Sequence, residues 1–167
     1  MKNIKFLIFL LMLTISTSFI VSGQKADFSG TWNLNQAKST VLEGLPTLIK
    51  ITINIKGDSL LTERIYQGGD GQEYPFNEKV TLDGKESTMT IYEMPRKLKA
   101  VLSEQDGSLF FESTTTINGE NGSEDFTSKE TWIVDKPNNS LTMNFKNIIS
   151  AGESSGVFIF NKAEPVK

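Results

Sequence analysis

From Gln24 onward the chain alternates apolar and polar residues with a period of two, and no helix-length apolar stripe interrupts that alternation. The clearest run is 47–56. Ile49, Ile51, Ile53 and Ile55 share one face, and Lys50, Thr52, Asn54 and Lys56 share the other. That pattern predicts a strand of a half-solvated antiparallel sheet. Similar runs at 31–35, 59–67, 76–82, 86–94, 96–103, 108–117, 126–134, 140–148 and 157–162 bring the expected strands to ten. Between them stand turn signals: Gly57-Asp58, Gly68 to Gly71, Asp83-Gly84, Pro95, Asp106-Gly107 and 136–139. Residues 118–125 and 150–156 read as polar loops. Residues 36–46 form a longer connection with room for one helical turn. Asp83-Gly84 reads as a two-residue hairpin that folds 86–94 back onto 76–82. Hairpins in sequence order form an up-and-down meander, and closing a long meander into a barrel removes its exposed edges. An open sandwich is the alternative.

The first 23 residues are different. Lys2 and Lys5 precede an unbroken apolar run from Phe6 to Leu13, which thins into hydroxyl residues and ends at Ser22-Gly23. This is the layout of a secretory signal peptide, and the run is short for a membrane span. The expected organisation is therefore a signal over 1–23 and one β-barrel domain over 24–167. The product is expected to be periplasmic or secreted, with no stable membrane span after cleavage.

Composition narrows the chemistry. The chain has no cysteine and no histidine. Disulfides, thiolate chemistry, the usual zinc sites and the Ser-His and Cys-His nucleophile pairs are all excluded. No cofactor is expected. Loss of Lys2 and Lys5 leaves 15 basic against 20 acidic residues, so the formal charge moves from −3 to −5. An acidic domain without a basic stripe is a poor nucleic-acid binder.

The domain opens with Asp27-Phe28-Ser29-Gly30-Thr31-Trp32-Asn33-Leu34. Gly30 lets the chain bend sharply. Trp32 offers a large apolar plate with one N–H, suited to plug one end of a barrel. The Gly-x-Trp order resembles the first signature of the lipocalin superfamily. With Asn35, Lys38 and Ser39 it resembles more narrowly the opening of small lipocalin-like domains exported by Bacteroidetes-type bacteria. Leu82-Asp83-Gly84-Lys85-Glu86, Glu130-Thr131-Trp132 and the ending Gly156-Val157-Phe158-Ile159-Phe160-Asn161-Lys162 resemble later features of the same domains, so the similarity covers most of the mature chain. The resemblance implies an eight- to ten-stranded lipocalin-like (calycin) barrel. Lipocalins proper end with an arginine packed on the first-strand tryptophan. Here Lys162 is the cation placed to do it.

A barrel of that size holds a filled core or one small ligand. The leading expectation is a cavity for a small apolar or amphipathic molecule. Candidate wall residues are Arg64, Tyr66, Tyr92, Trp132, Phe111 and Phe145, with Gly30, Trp32 and Lys162 at the barrel end. Arg64 and Tyr66 share a strand face. Facing inward they would bind a carboxylate, as in intracellular fatty-acid carriers of the same broad superfamily. The cost of burying charge favours the outward reading, with Leu61 and Ile65 inside. Two other functions stay open. One is a solid-core module that interacts through its loops. The other is an envelope enzyme using Glu112 and Glu130 as a carboxylate pair.

Overall fold

The computed structural model describes residues 26–42, 44–119 and 122–164. The expected signal segment, 1–23, lies outside these residues. The chain forms β1 (Gly30–Leu34), a 3-10 turn (Gln36–Lys38), β2 (Thr47–Lys56), β3 (Ser59–Gln67), β4 (Glu73–Thr81), β5 (Ser87–Ile91), β6 (Met94–Leu102), β7 (Leu109–Gly119), β8 (Gly122–Asp135), β9 (Ser140–Ile149) and β10 (Gly152–Lys162). All ten strands belong to one antiparallel sheet, in the order β4-β3-β2-β1-β10-β9-β8-β7-β6-β5. β1 pairs with both β2 and β10 at the middle of the sheet, and the sheet curls until β4 meets the β5–β6 hairpin, which makes a nearly closed barrel. Among the described residues no helix is long and apolar enough to cross a membrane.

One expected hairpin is absent. β4 and β5 are neighbours in sequence but stand at opposite ends of the strand order. The Asp83-Gly84 dipeptide is diverted by its own contacts. Asp83 Oδ1 accepts the Lys85 N–H and the Thr81 hydroxyl, and Gly84 N–H donates to Ala100 O on β6. The real hairpin is β5–β6, closed by Tyr92 (φ 45°) and Glu93 (φ 68°). Pro95 does not end a strand. It lies inside β6, one residue before the β6–β7 ladder begins at Arg96, where its missing N–H removes no bond to β7.

Two further strands depart from simple alternation. A register shift between Leu48 and Lys50 turns β2, so that Leu48 and Ile51 are both buried while Ile49 leaves the expected face. The segments expected as loops at 118–125 and 150–156 are mostly strand. The β7–β8 and β9–β10 hairpins run on as polar ladders, held by Thr116–Asp125 (2.7 Å) and Ser123–Asn118 (2.8 Å).

The closed end is built around Trp32. Its indole N–H donates to Phe28 O at 2.9 Å, and Lys162 Nζ lies 5.2 Å from its ring centroid. Gly30 has φ +128°, and a Cβ there would meet Lys162 Cε at 3.0 Å. Glycine is thus needed both for the bend and for the cation's approach.

After the 3-10 turn, Thr40 docks on β10. Its N–H donates to Val157 O (2.7 Å), and its hydroxyl accepts the Val157 N–H (3.1 Å). A Cβ on Gly156 would stand 2.6 Å from Thr40 Cβ and 2.8 Å from Phe145 Cζ. Because Thr40 is tied at its backbone, it has little room to retreat. Gly156→Ala is expected to destabilise the barrel by about 1–3 kcal/mol. Urea unfolding checks this: the midpoint falls at constant slope. An unchanged midpoint would contradict the packing described.

Candidate functional site

Inward positions follow from the ladders. β3 points Leu60, Thr62, Arg64 and Tyr66 inside, opposite Val80, Glu78, Phe76 and Tyr74 of β4. β7 points Leu109, Phe111, Ser113 and Thr115 inside, opposite Trp132, Glu130, Ser128 and Phe126 of β8. Four charged side chains therefore enter the barrel: Arg64, Glu78, Arg96 and Glu130, all buried.

The outward reading of Arg64 is overturned, since the residue is 0 % exposed and Leu61 is the exposed neighbour. Its Nη1 and Nη2 donate to the two oxygens of Glu130, each at 2.9 Å. Its Nε lies 2.7 Å from Glu78 Oε2, a charge contact without hydrogen-bond alignment. Its guanidinium carbon sits 4.7 Å from the Phe111 centroid and 5.3 Å from that of Trp132. Those two rings stack on each other at 5.6 Å, and the Trp132 N–H donates to Glu130 Oε2 at 2.8 Å. Arg96 donates from Nε and Nη2 to Glu78 Oε1 at 2.9 and 2.7 Å, and from Nη1 to Thr115 Oγ1 at 2.5 Å. Thr62 donates to Glu78 Oε2 at 3.0 Å. Two positive and two negative groups thus satisfy one another, which is the condition under which buried charge is tolerated.

The network also closes the barrel. Glu78 is on β4 and Arg96 on β6, so their pair spans the seam between the two ends of the sheet. Tyr92 crosses the same seam outside, donating its hydroxyl to Pro75 O at 2.6 Å. Tyr92 is therefore corrected from wall residue to turn residue: it is 56 % exposed and lies outside the barrel. The Glu112–Glu130 pair also fails. Glu112 faces outward to Lys129 at 3.3 Å, while Glu130 faces in, so no substrate could lie between them. The carboxylate site that an inward Arg64 and Tyr66 would offer is filled from within by Glu130.

Of the other candidates, Phe111 and Trp132 form the plate under Arg64. Phe145 is buried and stacks on Phe158 at 4.5 Å. Tyr66 faces in and stacks on Phe76 at 5.7 Å. Glu78, Arg96, Thr62 and Thr115 were not singled out from the sequence as site residues. The available signal was phase: Glu78 keeps step with Phe76 and Val80, and Arg96 with Leu98 and Ala100.

The electrostatics follow from this packing. Burial opposes ionisation of Glu78, but Arg64 and Arg96 outweigh it and hold its pKa below the ordinary value. Burial likewise opposes the Arg64 charge, and Glu130 and Glu78 outweigh it to raise that pKa. Burial pushes the Tyr66 hydroxyl up. A depressed carboxylate gives stability that is present above its unfolded pKa, about 4.3, and lost as pH falls through the lower folded value. A raised tyrosine gives stability that is present below its unfolded pKa, about 10, and lost as pH rises through the folded value. The chain contains no histidine. Thermal unfolding is therefore expected to be flat from about pH 6 to 9 and to fall on the acid side below about pH 4. A slope across neutrality would contradict this assignment.

The centre of the barrel is filled, and the two ends differ. At the closed end an open cleft of about 1060 Å³ runs between the turns around Asp58, Asp83, Asp106 and Lys136. Among the described residues no group of three or more carboxylates is arranged to hold a metal ion. At the other end lie the turns β1–β2, β3–β4, β5–β6, β7–β8 and β9–β10. There the inward alternation continues while burial does not. Tyr74, Ile117 and Ile149 are on the inward side by register, yet 38 %, 42 % and 40 % exposed. Tyr66, Phe76, Phe126 and Phe158 below them are half-buried. The result is an aromatic and aliphatic mouth above an ion-paired floor. Ser113 adds a buried hydroxyl with no hydrogen-bond partner among the described residues. In comparisons with known proteins, no family model and no curated sequence matches this chain.

Proposed function

We propose that this chain is an exported lipocalin-like barrel that takes a small amphipathic molecule in its open mouth. The observation that carries the reading is the exposure of Tyr74, Ile117 and Ile149 on the inward side of the wall. Apolar side chains that the strand alternation aims at a barrel axis, left in contact with water at one end only, suit a concave apolar site. The filled centre makes the site shallow. The floor of Arg64, Glu78, Arg96 and Glu130 lies where a fatty-acid carrier would hold its carboxylate, so the ligand's polar end belongs at the rim.

Native mass spectrometry of the protein purified under mild conditions tests this. The expected result is a discrete adduct that organic extraction removes. A clean mass, with no thermal shift across a panel of lipids and small hydrophobes, would overturn it. Such a result would favour an interaction module instead. Val101, Phe110 and Ile133, exposed on the outer wall of β6 to β8, would then be the surface to examine.

Ser113 gives a second handle. Removing an unpaired buried hydroxyl is expected to raise stability by about 1 kcal/mol, because no hydrogen bond is lost. Ser113→Ala should therefore melt higher than the parent. A lower melting temperature would mean that the hydroxyl has a partner.

A further inference from the structure

One side of the barrel is not closed by a backbone ladder. β4 and β5 are the two edges of the sheet, and their facing margins form the seam. β5 holds no fully buried residue, whereas every other strand holds at least one. An open groove of about 530 Å³ enters the seam there. It is lined by Asn77, Glu78 and Lys79 of β4 and by Thr88 and Met89 of β5.

The least anchored piece of this side is the tip of the β5–β6 hairpin, Thr90 to Pro95. Its strand residues pair only with one another, Thr90 with Pro95 and Ile91 with Met94. The β6–β7 ladder starts one residue later, where Arg96 pairs with Thr115, and no ladder joins the tip to β4. Among the described residues, one hydrogen bond ties the tip to the rest of the barrel. The Tyr92 hydroxyl donates to Pro75 O across the seam at 2.6 Å. The turn that carries this hydroxyl is strained. Tyr92 has φ 45° and Glu93 φ 68°, a region that side chains of this size rarely occupy. Below the tip, Arg96 grips Glu78 and fixes the base.

One hydroxyl therefore works against the strain of two residues. Letting go of Pro75 frees both to return to ordinary φ. Segments with few buried contacts and few backbone bonds are the ones that open locally. We infer that Thr90 to Pro95 is a latched flap: Tyr92 holds it shut on Pro75, and its release opens the seam down to the Arg96–Glu78 pair. The flap makes the seam, rather than either end of the barrel, the way in to the paired charges. It stands whether or not the mouth holds a molecule.

Amide exchange, followed by NMR on the nitrogen-labelled protein, tests this. The amides of Ile91 and Met94 report the flap, and those of Lys99 and Val101 report the β6–β7 ladder beside it. Tyr92→Phe removes the latch. Exchange at Ile91 and Met94 is expected to quicken about fivefold, the worth of one hydrogen bond, with Lys99 and Val101 unchanged. Glu93→Gly takes strain out of the closed turn and is expected to slow exchange at the tip by about as much. Tip exchange that Tyr92→Phe leaves unchanged would overturn the flap. So would equal quickening at Lys99 and Val101, since the hydroxyl would then hold the barrel as a whole. Faster tip exchange in Glu93→Gly would likewise overturn it.

Discussion

Arg64→Met is expected to destabilise the barrel by about 3–5 kcal/mol, since it removes one member of a buried ion pair and strands the other. Glu130 would keep the Trp132 N–H and a 3.5 Å contact from the Ser128 hydroxyl, and Glu78 would keep Arg96 and Thr62. Against a total stability of about 5–15 kcal/mol for a domain, the loss brings the variant close to unfolding at ambient temperature. Urea titration reads it as a large fall in midpoint. Pairing Arg64→Met with Glu130→Met should recover much of the loss, because apolar side chains of similar volume remove both charges together. A single variant as stable as the parent would contradict the role given to Arg64.

Trp32→Ala is the second large effect, expected at about 3–5 kcal/mol. The indole is 1 % exposed and contributes three things at the closed end. It fills volume, it takes the Phe28 carbonyl, and it carries Lys162 on its face. The first is decisive in magnitude, because a cavity of this size cannot collapse between β1 and its two partner strands. Trp32→Phe keeps the plate and drops the N–H, so it should cost about 1–3 kcal/mol through the unpaired carbonyl and the smaller ring. Equal losses for alanine and phenylalanine would show that the hydrogen bond, not the packing, holds this end.

Most of the strands, and the consecutive pairings other than the hairpin expected at Asp83-Gly84, were legible in the sequence because a half-buried sheet writes its two faces as alternation. Ser59–Gln67 and Thr47–Lys56 are the clearest cases. The misses have physical reasons. The β7–β8 and β9–β10 hairpins run past the core, and only isolated apolar residues such as Ile117 and Ile149 mark the inward face of their tips, so the alternation is too sparse to read there although the ladder continues. The β5–β6 turn uses Tyr92 and Glu93 at positive φ, where glycine or asparagine is the usual signal. Asp83-Gly84 carries the usual hairpin signal but lies where the sheet ends, and its hydrogen bonds go to β6. The site was hardest to read. Taken one at a time, a charge on an apolar face looks too costly to bury. Arg64 and Glu130 are 66 residues apart, and only together with Glu78 and Arg96 do their charges cancel. The pattern that would have revealed them is four charges of balanced sign, each in step with its strand's apolar stripe.

The central structural claim is that side chains, rather than a backbone ladder, close the seam between β4 and the β5–β6 hairpin. A double-mutant cycle tests it most directly, using Glu78→Gln, Arg96→Met and the combined variant in urea unfolding. The account predicts a coupling energy of about 2–3 kcal/mol between the two positions, as for a buried, hydrogen-bonded pair. Additive effects, with coupling under about 0.5 kcal/mol, would mean that Glu78 and Arg96 do not hold the seam.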